Sequence, residues 1–549
     1  MVTAREADDR FPPGNKEARY AAEEARMMHP CYNVMLIVMD TLGANYVGCY
    51  GNDVVKTPNI DRLAMQGTLF ENAYSEGLPT IPCRRAMMTG RFTLPFGGWK
   101  PLEISDTSIT DILWGRDIQT ALIYDSPPLQ LPKYGYTRGF DYVSFLPNHE
   151  LDHEYLLNSK RLQADMDPLD YTCAAARHMQ DNPIVQGMLR ELKAFLHLRQ
   201  DWRGDEDSYP AAVAREAVHW LEHHRDPSRP FFLWVDCFDP HEPWDAPSVW
   251  EKRPCPYDPD YEGNPIVLAP QADLEGFVTE RECRHIRALH AEKVTNADKW
   301  MGKVLDALRR LGLDDNTIVI LVGDHGQPMG KGEHGHGILR KCRPWPYEEL
   351  AHVPLIVRVP GQEGGRRIES FVQTCDIAPT VLDGLGVFHA GKLQERGHEG
   401  IKVWSDSSMQ GISLLPAARG ETDHIRDWAL TGFFGFSWSL IRKDYSVIRW
   451  LRAEPTAQEM VGLFMDDIMN GGAAGAKSAR LDSGFGSQQE KAEMWTCTPG
   501  AEVILPEDNE LYDRVNDRFQ LTNIAAEKPE VAREMLGQLN QIMNALRNS

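Results

Sequence analysis

Thr80, Asp40, Asp324, His325, Arg84, His241 and Lys341 are the residues of this chain whose types and settings could combine into one reaction. Thr80 heads the stretch Thr80-Ile81-Pro82-Cys83-Arg84, which runs as a helix toward Gly90. A hydroxyl there can act as N-cap, and it also lies where free N–H groups and the helix dipole favour negative charge. Both roles are compatible, and metal coordination would further lower the hydroxyl pKa and make it an alkoxide-like nucleophile. Arg84 follows one turn later, placed to hold the nucleophile oxygen or an anionic substrate; Arg85 adjoins it.

Asp324-His325-Gly326 is the strongest metal signal. Adjacent residues on a strand point to opposite sides, but a following glycine lets the chain turn so that both reach one ion. Alone, such a triplet is more often an ordinary surface turn. Asp40 alters that balance by adding a hard oxygen from another strand end. Asp40, Asp324, His325 and the Thr80 oxygen make a set for one divalent cation. The imidazole favours Mn²⁺, Zn²⁺ or Fe²⁺, with Ca²⁺ and Mg²⁺ as alternatives.

His241 sits between prolines in Asp239-Pro240-His241-Glu242-Pro243, a rigid loop beyond a strand end, and reads as a general acid. Lys341 would place a point charge on the leaving-group or phosphoryl oxygen, although an isolated lysine is most often solvated surface. His334 and His336, in a Gly/His-rich loop, are weaker substrate-site candidates.

These residues need a scaffold, and the hydropathy pattern supplies one. Asn33–Met39 is a continuous apolar run ending at Asp40, as suits a strand buried on both faces of a parallel sheet. Thr120–Tyr124, Phe231–Val235, Thr317–Val322 and Pro354–Val359 read the same way. Four of these strands end in polar residues: Asp40-Thr41, Asp125-Ser126, Asp236 with Asp239-Pro240-His241, and Asp324-His325. Helical stretches alternate with them. Thr57-Pro58 starts one helix that Gly67 closes, and Ala211–His223 and Ala291–Leu311 are amphipathic. The alternation predicts a doubly wound α/β sheet, whose strand C-termini bind ligands.

Residues 1–30 read as an N-terminal arm, helical around Glu17–Met28, and 31–425 as the catalytic α/β domain. Within it, 150–205 is a polar helical insertion. Residues 426–549 form a smaller C-terminal subdomain, with a loop at 470–487 and an amphipathic final helix that aligns Met535, Leu536, Leu539, Ile542, Met543 and Leu546.

The chain has 549 residues, 42% hydrophobic, and a formal net charge of -22. So acidic a surface argues against nucleic-acid binding. No apolar run is long enough for a bilayer, and the first 28 residues lack a signal-peptide core. The ten scattered cysteines, without a CxxC pair, fit free thiols in a reducing compartment. A cytoplasmic location is therefore expected, without membrane or nucleic-acid partners.

Together these motifs resemble the sulfatase-like branch of the alkaline phosphatase superfamily. The resemblance runs from Asp40-Thr41-Leu42 and Gly48-Cys49-Tyr50-Gly51 through Thr57–Leu63, Phe70–Tyr74 and Thr80–Arg91. It resumes at Asp239-Pro240-His241, Asp324-His325-Gly326, Lys341, Tyr347-Glu348-Glu349 and Val353–Val357, and ends at Glu510–Asp513 and Leu521-Thr522-Asn523. It implies an alkaline-phosphatase-like mixed sheet with a small α+β subdomain carrying an antiparallel sheet. It further implies metal binding by Asp40, Asp324, His325 and the nucleophile, a catalytic shell of Arg84, His241 and Lys341, and a homo-oligomer. The spacing to Thr89-Gly90-Arg91 favours Arg84 over Arg85. Cys83 is the alternative nucleophile, but lacks the proline two residues later and the arginine four residues later.

The departures from that family set the chemistry. Sulfatases oxidise Cys or Ser to formylglycine at the position of Thr80, and threonine cannot become that aldehyde. Many carry Asp-Asp where this chain has Asp40-Thr41. Many have Gly-Lys-Trp-His where it has Tyr124-Asp125-Ser126-Pro127, so a sulfate-binding Lys and His are absent. Related phosphonate monoester hydrolases use neutral polar groups there, a part that Tyr124 and Ser126 could play. Thr41 and His336 complete the substrate-binding candidates. The expected activity is metal-dependent hydrolysis of phosphodiesters, phosphonate monoesters or similar small anionic esters. The alternatives are a sulfatase working without formylglycine and a catalytically silent binding protein.

Overall fold

The computed structural model describes residues 31–547 apart from 97–98, 131–133, 148–165, 342, 363, 390–391, 394–408 and 452–507. The proposed arm at 1–30, the start of the 150–205 insertion and the loop at 470–487 lie outside the described residues.

Eight strands form the main sheet: β1 (Asn33–Met39), β2 (Thr68–Tyr74), β3 (Gln119–Tyr124), β4 (Tyr142–Phe145), β5 (Phe231–Cys237), β6 (Thr317–Gly323), β9 (Leu355–Arg358) and β10 (Arg366–Gln373). Their order is β10-β2-β9-β6-β1-β5-β3-β4. β9 runs antiparallel to both β2 and β6, and the remaining neighbours are parallel. The sheet is therefore mixed, with Pro354–Val359 as the reversed strand.

The apolar run of β1 divides as its two-residue period requires. Val34, Leu36 and Val38 enter one core and Met35, Ile37 and Met39 the other. Burial on both faces explains why the run shows no polar alternation. β2 and β10, missed in the sequence, carry Glu71, Asn72, Arg366, Arg367 and Glu369 among their apolar residues. These polar positions break the uniform pattern that marks the central strands.

A short hairpin, β7 (Met329–Gly332) with β8 (Gly335–Leu339), follows β6, and a two-stranded piece pairs β11 (Phe388–His389) with β12 (Lys392–Leu393). The C-terminal sheet is antiparallel and ordered β13 (Trp428–Thr431), β14 (Ser437–Arg442), β15 (Tyr445–Trp450), β16 (Glu510–Asp513). The helix Pro529–Arg547 packs on it through Met535, Leu539 and Met543, in a core shared with Leu430, Leu440 and Leu511. Among the described residues, no helix is long and apolar enough to cross a membrane.

Register explains how the strand ends meet. Val38 pairs with Asp236, Met39 with Gly323, and Tyr124 with Asp236. The residues just past these pairs, Asp40, Asp324 and Asp125, thus emerge at one edge.

Candidate active site and metal centre

Asp40, Asp324 and His325 converge at this edge, with one ligand atom from each within 4.8 Å of the others. All three are fully buried. The Nδ1 of His325 lies 2.8 Å from the Gly326 carbonyl. A carbonyl can only accept, so Nδ1 carries the proton and Nε2 keeps its lone pair. Burial lowers the His325 pKa to about 4, which holds the ring neutral. Its Nε2 faces Thr80 Oγ1 at 3.2 Å, Asp324 Oδ2 at 3.5 Å and Asp40 Oδ1 at 3.8 Å.

Gly326 is needed here for a reason other than a left-handed turn. A Cβ at this position would stand 2.1 Å from the Glu349 carbonyl oxygen. The strain sits instead at Thr41, a β-branched residue at φ 56°. That conformation costs on the order of 1–3 kcal/mol. It lets the Thr41 N–H donate to Asp324 Oδ1 at 3.0 Å. Thr41 Oγ1 is buried with no hydrogen-bond partner.

The helix Thr80–Thr89 begins at Thr80 itself, with Pro79 as its N-cap and no capping side chain. Thr80 is therefore not the N-cap that its sequence position suggests. Its hydroxyl is turned toward His325, at the positive end of the helix. Cys83 Sγ, which contacts the Asp324 carbonyl at 3.0 Å, is completely buried; burial pushes its thiol well above the ordinary range. It cannot serve as an alternative nucleophile without leaving the core.

Arg84 differs from its expected role. Its Nε and Nη2 bind Asp236 at 2.9 and 2.8 Å, and its Nη1 reaches Asp324 Oδ2 at 2.5 Å and Asp40 Oδ2 at 3.1 Å. The guanidinium spends its fork on carboxylates rather than on the Thr80 hydroxyl. Arg85 turns away to Asp106 and Pro101, so Arg84 is the arginine of the pair that faces Asp40 and Asp324.

Three buried carboxylates thus face one guanidinium, and a buried charge must be balanced. Burial and the Asp324 charge push the Asp40 carboxyl well above its usual range. Asp40 Oδ1 has no hydrogen-bond partner, and Oδ2 meets only the Arg84 ion pair at 3.1 Å. An orphaned carboxylate oxygen, an imidazole lone pair and surplus negative charge together fit a divalent cation.

The leaving-group candidates lie in a second cluster. Lys341 Nζ is 3.1 Å from His241 Nε2, and His241 stacks on Phe238 at 4.2 Å between ring centroids. The loop carrying His241 is held by Lys293, a buried lysine that sequence reading missed. Its Nζ donates to the carbonyls of His241 and Pro243 at 2.8 and 2.6 Å and pairs with Asp239 and Asp245. An amphipathic-helix pattern hides such a residue, because lysine normally marks the solvent face.

Two of the four substrate-binding candidates are committed elsewhere. Tyr124 donates its hydroxyl to Gln130. His336 has Nδ1 on Glu349 at 2.8 Å and Nε2 on the Gln520 carbonyl at 2.9 Å, and its ring stacks on Tyr347. Neither ring nitrogen of His336 is left for a substrate. His334 is paired with Glu333. Ser126 Oγ, like Thr41 Oγ1, is buried without a hydrogen-bond partner and stays available.

The large mixed sheet in an α/β setting, with a smaller antiparallel C-terminal sheet, matches the alkaline-phosphatase-like sulfatase fold. The Sulfatase family model matches residues 32–387, and the chain belongs to that family. It is 27% identical to arylsulfatase K of Bos taurus over 97% of this chain and 85% of that protein. It is 26% identical to an arylsulfatase of Clostridium perfringens over 64% and 74% of the two chains. Among solved structures it is similar to the phosphonate monoester hydrolase of Agrobacterium radiobacter. That match has a TM-score of 0.61 and 20% identity over 94% and 95% of the chains.

Proposed function

We propose that this protein is a divalent-metal-dependent hydrolase of phosphodiesters or phosphonate monoesters that uses unmodified Thr80 as its nucleophile. The observation supporting this reading is Thr80 Oγ1, at a helix start and 3.2 Å from the unprotonated nitrogen of His325, a candidate metal ligand. Asp40, Asp324, His325 and Thr80 would hold the ion. Bound there, a divalent cation supplies pKa lowering at the hydroxyl and charge compensation on substrate oxygens.

Thr80 Oγ, its proton released to solvent, attacks phosphorus in line, forming a Thr80–phosphorus ester as the bond to the leaving oxygen breaks. The Lys341–His241 pair gives that oxygen its proton. Water then attacks phosphorus and returns one proton to the Lys341–His241 pair; the bond to Thr80 Oγ breaks, Thr80 takes a proton back from solvent, and the enzyme is regenerated. Arg84 acts as a positioning residue, fixing Asp40, Asp236 and Asp324. Thr41 and Ser126 offer neutral hydroxyls to the substrate.

The second reading is sulfate ester hydrolysis, favoured by the arylsulfatase names of the relatives. The two readings separate at Thr80. An aldehyde hydrate discharges its sulfate ester by elimination, and a threonine ester has no such route. Mass spectrometry of the peptide containing residue 80 should show unmodified threonine, even after co-expression with a maturation enzyme. Phosphodiester or phosphonate turnover should exceed sulfate turnover for one leaving group, and Thr80→Ala should abolish both. Better turnover of sulfate esters would sink the leading reading.

A further inference from the structure

Four residues around the leaving-group cations form a closed hydrogen-bonded ring. Lys341 Nζ lies 3.1 Å from His241 Nε2 and donates to Gln327 Oε1 at 3.2 Å. Gln327 Nε2 donates to Glu242 Oε2 at 2.5 Å, and the Glu242 backbone carbonyl lies 2.7 Å from His241 Nδ1. Arg340 Nε donates to the other Glu242 oxygen at 2.6 Å. Arg340 holds φ 58°, a left-handed conformation outside the usual range for its type, immediately before Lys341.

The ring allows one arrangement of donors. A carbonyl accepts, so His241 Nδ1 is protonated; an ammonium donates, so His241 Nε2 accepts from Lys341. The Gln327 amide is fixed in the same way. Reversed, its carbonyl would face a carboxylate and its NH₂ an ammonium. Gln327 and Glu242 are both almost fully buried, so a broken link would leave a desolvated group unpaired.

We propose that Gln327 is a positioning residue for leaving-group departure, tying Lys341 to the Glu242 anchor so that Lys341 and His241 deliver one proton as a unit. Gln327 touches neither Thr80 nor a metal ligand through its side-chain hydrogen bonds, and its role is exerted entirely through Lys341. The inference rests on the reading of Lys341 and His241 as the leaving-group pair.

The test is a series of phenyl phosphonate monoesters whose leaving phenols span several pKa units, measured on the metal-loaded wild-type enzyme and its variants. Gln327→Met keeps the length and removes both polar atoms. It should lower kcat/KM about 100-fold for phenol and under about 5-fold for p-nitrophenol, which needs little protonation. Combined with Lys341→Ala it should add almost nothing to the single lysine variant. Glu242→Gln, should Gln327→Met not fold, should steepen the same dependence. A steep dependence in Lys341→Ala with an unchanged slope in Gln327→Met overturns the proposal and leaves the leaving-group reading standing. A flat response in both variants overturns both.

Discussion

Around Thr80, Asp40, Asp236 and Asp324 crowd one guanidinium and leave Asp40 Oδ1 without a donor. Around Lys341, each link of the ring through His241, Glu242 and Gln327 pairs a donor with an acceptor. Burial opposes ionisation of Glu242, yet the His241 Nδ1–H beside it and the cations Lys341 and Arg340 hold its carboxyl well below the usual range. Burial and Asp324 drive Asp40 the other way. Both clusters are buried and charged, so solvent does not explain the difference. On the proposed reading, the nucleophile half takes a cation from outside to balance it, whereas the leaving-group half is balanced by its own residues.

Breaking the incomplete half should have the largest effect. Asp324→Asn removes a ligand charge and leaves one amide oxygen where two carboxylate oxygens accept from the Thr41 N–H and from Arg84. We expect activity to fall by about three orders of magnitude, comparable to loss of a main electrostatic element, with metal content falling in parallel by elemental analysis. Full activity in rigorously metal-free protein would refute the metal centre.

The same asymmetry predicts a stability response. Chelation should lower the Tm, because surplus carboxylates would then share one guanidinium. Adding Mn²⁺ or Zn²⁺ at about 100 times its Kd should restore on the order of 2.7 kcal/mol. In Asp40→Asn, calorimetry should show a much smaller gain. An equal gain would place the ion elsewhere.

The self-completed half should respond more selectively. His241→Ala should lower kcat/KM by about 100-fold or more for poor leaving groups and far less for p-nitrophenolate. Equal losses for both would show that His241 serves binding rather than proton delivery.

The two halves were unequally legible in sequence. Asp40, Asp324 and His325 follow uniform apolar strands, so their position at one sheet edge could be read directly from hydropathy. Thr80 is legible through the resemblance of Thr80–Arg91 to a family segment, although the helix starts at it rather than after it. Gln327, Glu242 and Lys293 gave no signal. Their roles come from long-range contacts, separated by 85 residues for Gln327 and Glu242, and no local pattern encodes such pairing. The edge strand β10 and its neighbour β2 escaped for a related reason, since partial exposure mixes polar residues into them. His336 looked like a site residue because its Gly-rich surroundings carry no information about Gln520, 184 positions away.

His336 provides the smallest and sharpest contrast, set against His325. His325 keeps one ring nitrogen unspent and is held neutral by burial. His336 spends both nitrogens, and both partners accept. Burial opposes its protonation, but the Glu349 charge, its hydrogen bond and the Gln520 carbonyl raise the His336 pKa above its ordinary value. The sign of the pH dependence follows. A histidine whose folded pKa is raised contributes stability that is fully present below the unfolded value near 6.5 and is lost as pH rises through the folded pKa. His336→Ala should therefore cost about 1–3 kcal/mol at pH 5.5, as expected for a charge-assisted hydrogen bond. That difference from wild type should shrink steadily above pH 7 in denaturant melts. Activity should stay within about 3-fold of wild type at the working pH, because the ring offers no group to a substrate. A loss of activity exceeding 100-fold with an unchanged melt would return His336 to the substrate site and make the tie to Gln520 incidental.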